Sequence, residues 1–184
     1  MSAFTVIAGV TRTLAGLLNG ATGVTVEFDK SPADNISDAQ SLIHLYLYRI
    51  EHNPFFRTVD WVRPTETTQQ ASPIGLNLFY LITPYGNGQE QIQMTLGEVV
   101  KVLHDNGVVS PSAFDPVLAD TTEELRVVPH SLSLDEMTGF WRSFENRSYR
   151  LSVTYEVSVA LIDSDVTRTV APVAERHVVI EQLR

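Results

Sequence analysis

The chain has 184 residues, the size of one domain. Its hydrophobic fraction of 43% supports a sizeable core, and the absence of cysteine excludes disulfides, thiol catalysis and cysteine-based metal sites. A formal net charge of −9 with no basic cluster argues against direct nucleic-acid binding, and no apolar run is long enough to span a membrane.

Ser2 to Asn19 reads as a helix, with Val6, Ile7, Val10, Leu14, Leu17 and Leu18 at helical spacing. Asn19-Gly20 supplies the stop, since both residues tolerate left-handed geometry. Val24 to Phe28 alternates as a short strand, and Asp29 to Gln40 is a polar loop. Ser41 to Glu51 is a strong strand with few polar positions, so both its faces are expected to be covered. Asn53-Pro54 ends it, because proline donates no hydrogen bond and restricts the residue before it. Phe55 to Pro73 shows no clear period, and a loop of that length inside a compact domain is often functional.

Ile74 to Thr83 is a third strand, with Leu76, Leu78, Tyr80 and Ile82 on one face. A turn at Pro84 to Gly88 leads into a helix from Gln89 to Asp105, which Asn106-Gly107 closes. Ser110 to Ala119, with Pro111 and Pro116, forms at most a short helical turn, and Leu125 to Val128 is a short strand. Ser133 and Glu136 stand at capping-box spacing, and the helix they start carries Met137, Phe140, Trp141 and Phe144. From Ser148 to Asp163 the alternation is strict, with Tyr149, Leu151, Val153, Tyr155, Val157, Val159 and Leu161 on one side. A strand this long belongs inside a sheet, since a long apolar edge aggregates. Asp163 to Arg176 is a polar connector, and His177 to Gln182 reads as a last strand. The total of about five or six strands and three helices gives a single α+β domain: a mixed, mostly antiparallel sheet with helices packed on one face.

Motifs for chemistry are weak. Gly86-Asn87-Gly88 lacks the further glycine and the Gly-Lys-Ser/Thr of a phosphate loop, so a tight turn is the better reading. The histidines, His44, His52, His104, His130 and His177, form no metal-ligand spacing, and no Gly-x-Ser-x-Gly elbow is present. The acidic pair Asp135-Glu136 fits capping better than acid–base work. Asn35 and Asn146 stand in glycosylation patterns, but no signal peptide is recognisable, so these read as coincidence. No catalytic residue, cofactor or metal is expected.

Several segments nevertheless resemble the cap, or tail-terminator, family of extracellular contractile injection systems, the phage-tail-like particles of the virulence-cassette and antifeeding-prophage type. They are Leu45 to Pro54, Leu76 to Gly86, Leu96-Gly97 with Val102 to Asp105, Leu132 to Glu136, Phe140-Trp141 and Tyr149 to Val157, in the family's order. The resemblance implies a tail-terminator-like domain over residues 1–163, with 164–184 a C-terminal extension acting as an inter-subunit or partner-contacting arm. It implies a homo-hexameric ring that ends the inner tube and anchors the last sheath layer, assembled in the cytoplasm as part of a particle that leaves the cell. The partners are then the sheath and inner-tube proteins, with no nucleic acid and no membrane.

Phe55, Phe56, Arg57, Trp61 and Arg63 are the expected interface residues. Aromatic residues anchor interfaces, and arginine pairs bidentately with carboxylates on an equally acidic neighbour. Phe55 fits a core fold-back as well as an interface, whereas Trp61, flanked by Asp60, Val62 and Arg63, fits an interface better. A small ligand- or peptide-binding module using the same aromatics is the alternative function.

Overall fold

A computed structural model describes residues 5–32, 34, 36, 40–56, 61–119, 124–144 and 148–171. The helices are α1 (Val6–Thr22), α2 (Gln89–Asp105) and α3 (Leu134–Arg142). The main sheet contains β1 (Thr25–Glu27), β2 (Leu42–His52), β5 (Ile74–Tyr85), β6 (Val108–Val109), β7 (Leu125–His130) and β8 (Val153–Ile162), in the order β1-β2-β5-β8-β7-β6. Among the described residues only β1 and β2 pair parallel; the other pairs of this sheet are antiparallel. A second, small sheet joins β3 (Trp61–Val62), β4 (Thr68–Ala71) and β9 (Thr167–Thr169).

The fold is the expected mixed α+β domain, and its centre is β5. One face of β5 carries Leu76, Leu78, Tyr80 and Ile82, which join the main core with Val10, Leu14 and Leu18 of α1 and Val99 and Leu103 of α2. The other face is also buried, through Phe79, Leu81 and Thr83, as a strand covered on both faces must be. Tyr80 has no exposed surface, and its hydroxyl bonds the Thr11 hydroxyl at 2.9 Å, so burial leaves no polar atom stranded there. Thr13 does similar work on α1, since its hydroxyl accepts from the Asp115 amide at 2.9 Å and fixes the turn after α2. That turn drives Leu118 against Gly9, where an added Cβ would stand 2.6 Å from the leucine.

Helices on one face describes α1 and α2. The third helix lies on the opposite face, where Met137 and Trp141 bury against Leu81, with Tyr46, Tyr48, Phe140 and Phe144 around them. Its start is the predicted capping box: the Ser133 hydroxyl accepts from the Glu136 amide, and the Glu136 carboxylate accepts from the Ser133 amide.

Other elements shift for local reasons. Helix α1 runs past Asn19-Gly20 and stops at Gly23, which takes φ 67° and donates its amide to the Asn19 carbonyl. Strand β8 is interior as expected, paired with β5 and β7, but it begins at Val153, and Tyr149 and Leu151 are exposed. Tyr155 and Val157 are buried and Val153 is half-buried. The alternation then breaks: Leu78 pairs with Val157 and Leu76 with Ala160, so a bulge brings Ala160 and Ile162, rather than Leu161, to the main core. The aperiodic stretch after Pro54 contains β3 and β4. His177 to Gln182, Ser2 to Phe4 and Arg57 lie outside the described residues, as does the side chain of Val159.

Candidate interface at the end of the sheet

Strand β2 ends at Asn53, which organises the turn beyond it. The Asn53 amide donates to the Gly75 carbonyl at 2.8 Å, and its side-chain oxygen accepts from the Phe55 amide at 3.0 Å. Its Nδ2 donates to Asn77 Oδ1 at 2.9 Å, and Asn77 Nδ2 donates to Glu156 Oε1 at 2.7 Å. This chain of bonds ties the turn to β5 and β8 and holds Pro54–Phe56 as a single 3-10 turn. Phe56 then folds over Gly75, where an added Cβ would sit 2.8 Å from its ring, so only glycine leaves room. Phe55 points away and is 89% exposed, which settles it as surface rather than core.

Trp61 is half-buried. The Arg168 guanidinium stacks on its ring 3.9 Å from the centroid and donates to Gln69 Oε1 at 2.8 Å. A stack of this kind contributes about 0.5–1 kcal/mol. The small sheet is closed further by Gln70 Nε2 to the Ser164 carbonyl at 2.5 Å and the Ala71 amide to the Val166 carbonyl at 3.0 Å. Residues 167–169 of the predicted extension therefore return to the residues after β2. Arg63 is exposed. The structure thus brings Phe55, Phe56, Trp61 and Arg63 to the end of the sheet where β2 finishes and β5 begins. Ile50, Val62 and Ile74, each about half exposed, add apolar surface at the same end. Sequence reasoning missed these three because they sit in strands, where period two assigns them to a face and not to an end. Arg168 was missed because nothing local links it to Trp61.

Two titratable groups, Glu136 and His44, are tied into the fold. The Ser133 hydroxyl and amide hold the Glu136 carboxyl below its usual range, which is a cap and not an acid–base pair. His44 is fully buried, with Nε2 donating to the Lys30 carbonyl at 3.0 Å and Nδ1 without a partner among the described residues. Burial pushes its pKa below the ordinary 6.5, against the opposing pull of the Lys30 carbonyl and the Glu27 and Asp34 charges. The fold therefore favours the neutral ring. Its contribution is complete above about pH 6.5 and declines as pH falls, because the unfolded chain then takes up a proton that the folded chain refuses. Stability measured by urea unfolding should drop as pH falls below about 6.5, and His44→Gln should flatten that dependence; an unchanged slope in the variant would remove His44 as its cause. Among the described residues no cluster of three His, Asp or Glu is placed to hold a metal, and no helix is long and apolar enough to cross a membrane.

The model of the Pvc16 N-terminal domain family matches residues 9–176. Two solved structures share the fold. One is the sheath/tube terminator of the PVC extracellular contractile injection system in its extended state, with 21% identity, a TM-score of 0.70, and coverage of 100% of this chain and 66% of that one. The other is the anti-feeding prophage cap, a tube-terminating cap, with 22% identity, a TM-score of 0.62, and coverage of 98% and 62%. The chain thus spans just under two thirds of each. Comparison with curated protein sequences gives no match. The resemblance drawn from Leu45 to Pro54 and the later segments holds, and the chain belongs to the Pvc16 N-terminal domain family.

Proposed function

We propose that this protein is a structural cap that terminates a contractile injection particle, acting as a ring of copies at the end of the inner tube and anchoring the last sheath layer. The observation that carries the reading is the family match across residues 9–176, supported by the fold shared with two terminators. Hexameric stoichiometry, contact with tube and sheath, assembly in the cytoplasm and a non-catalytic role belong to the same proposal. So does a boundary near residue 163, with the residues after it serving as a contacting arm.

The exposed end of the sheet is the surface this role would use. Phe55 and Arg63 offer an aromatic anchor and a cation with their side chains in solvent, whereas Trp61 is partly committed to Arg168. Phe55→Ala with Arg63→Ala should leave urea stability within about 0.5 kcal/mol of wild type, as exposed substitutions do. The same pair should abolish the ring in solution and give ragged or over-long tails by electron microscopy. Trp61→Ala should lose assembly and also loosen the small sheet. Rings and tails of normal size, with the double variant confirmed in the particle, would remove this end from the interface. A wild-type protein that stays monomeric and binds a peptide or sugar would favour a binding module.

A further inference from the structure

A line of hydrogen-bonded side chains crosses the main sheet from β8 to the turn that carries Phe55. Glu156 stands on β8, Asn77 on β5 and Asn53 just past β2, so the line spans two strand spacings of about 4.8 Å each. Its two ends have fixed hydrogen-bonding character. The Glu156 carboxylate accepts, and the Phe55 backbone amide donates. Each asparagine between them carries an acceptor oxygen and a donor nitrogen, so either amide alone fits two ways round. One orientation of the pair satisfies all three bonds: Asn77 Nδ2 donates to Glu156 Oε1 at 2.7 Å, Asn53 Nδ2 to Asn77 Oδ1 at 2.9 Å, and the Phe55 amide to Asn53 Oδ1 at 3.0 Å. Asn53 is 6% exposed, so a reversed amide there faces the Phe55 N–H donor to donor with little water to relieve it. Backbone bonds from the Asn53 amide to the Gly75 carbonyl and from the Phe56 amide to the Asn53 carbonyl close the turn independently of this line. What the line adds is the setting of the Asn53 side chain, and through it the setting of the Phe55 amide.

We propose that Glu156 is a positioning residue for the candidate interface: from the middle of the sheet it sets the direction of the Asn77–Asn53 line and so fixes Phe55 in the place where a neighbouring copy meets it. The proposal deepens the cap reading above and rests on it for the neighbour. Phe55 is 89% exposed, so its place comes from the backbone that carries it, whereas Phe56 is seated over Gly75. An anchor held in its bound place before contact lowers the ordering cost of association. A bond to a carboxylate is of the stronger kind, and bonds in a line polarise one another, which suits control from the Glu156 end.

Reversing the line tests it. Glu156→Lys replaces the acceptor with a donor, so Asn77 and Asn53 turn round and present a donor to the Phe55 N–H. Amide exchange at Phe55 should rise about tenfold, and the protein concentration for half-assembly should rise by about the same factor. Adding Asn53→Asp returns an acceptor to the Phe55 amide and accepts from the turned Asn77, so the double variant should recover both. That recovery separates direction from charge at position 156, because the lysine and its surroundings are the same in the two variants. Glu156→Gln keeps an acceptor without the charge and should retain most of the protection. Asn77→Ala cuts the line in the middle and should also raise exchange at Phe55, which keeps the comparison available if the lysine variant does not fold. Phe55 exchange that stays at the wild-type rate in Glu156→Lys, or in Asn77→Ala where the lysine variant is unfolded, would overturn the proposal and leave the cap reading intact. So would a glutamine variant as exposed as the lysine one, or a lysine variant that Asn53→Asp does not recover. Exchange that rises while assembly is unchanged would also overturn it, by taking Phe55 out of the contact. A wild-type chain that neither assembles nor caps tails would instead remove the cap reading, and the placement of Phe55 for a neighbour with it.

Discussion

Val157→Asp is expected to leave little folded protein at room temperature. Val157 has no exposed surface, and it pairs with Leu78 of β5 on one side and Val127 of β7 on the other, both buried. A carboxylate placed there meets only apolar neighbours, so it stays charged at a cost of several kcal/mol or takes up a proton. A domain of this size has about 5–15 kcal/mol of stability in total, so one such group consumes much or all of it. The same substitution at Val166, which is 59% exposed, should cost no more than about 0.5 kcal/mol. Urea unfolding of the two variants beside wild type makes the comparison. A Val157→Asp protein within about 1 kcal/mol of wild type would mean that β8 does not occupy the interior of the sheet.

That prediction rests on a strand whose interior was plain from sequence and whose ends were not. Tyr155 and Val157 follow the period-two pattern because they face a continuous core. Tyr149 and Leu151 follow the same pattern and are exposed: β5 runs on to Tyr85, but its ladder with β8 begins only at Val153, and before that residue the two segments meet through the Thr83–Ser152 hydroxyl bond and the Arg150 stack on Tyr85. The bulge beyond Val157 cannot be read from alternation, which continues through Val159 and Leu161; it is set by how β5 and β8 meet. The small sheet escaped for a related reason. Trp61 and Val62 are too few to show a period, and their order comes from Arg168, which is remote in sequence.

The candidate interface was legible in part. Asn53-Pro54 marks the end of β2, and a break there throws the next aromatic residues out of the sheet, which is what happens to Phe55. Which aromatic faces solvent depended on a contact that no local rule supplies: Gly75 leaves a hollow for Phe56 and none for Phe55. Local signals also located the capping box at Ser133 and Glu136, because a cap is satisfied within one turn. They could not place α3 on the opposite face from α1 and α2, since a helix with an apolar side suits either face and the choice falls to Leu81, Tyr46 and Tyr48 across the sheet.

Trp141→Ala is the substitution that tests that placement, and it is expected to cost about 3–5 kcal/mol, the range for truncating a large buried aromatic residue. Trp141 is 2% exposed and buries with Leu81 and Met137, and its ring lies 6.0 Å from that of Phe144. Its Nε1 has no hydrogen-bond partner among the described residues, so the expected loss is one of packing. The helix has nine residues, too short to persist without tertiary contacts, and its remaining anchors include Met137 and the contacts of Phe140 with Tyr48 at 5.3 Å and Tyr46 at 6.4 Å. Amide exchange should therefore rise throughout α3 while β5 and β8 keep their protection relative to the lowered global stability. The chain has two tryptophans, so the variant leaves Trp61 as the sole indole emitter and removes the buried component of the fluorescence. If stability fell by less than about 1 kcal/mol and α3 stayed protected, the second core would be a surface contact, and the sheet would have one helical face after all.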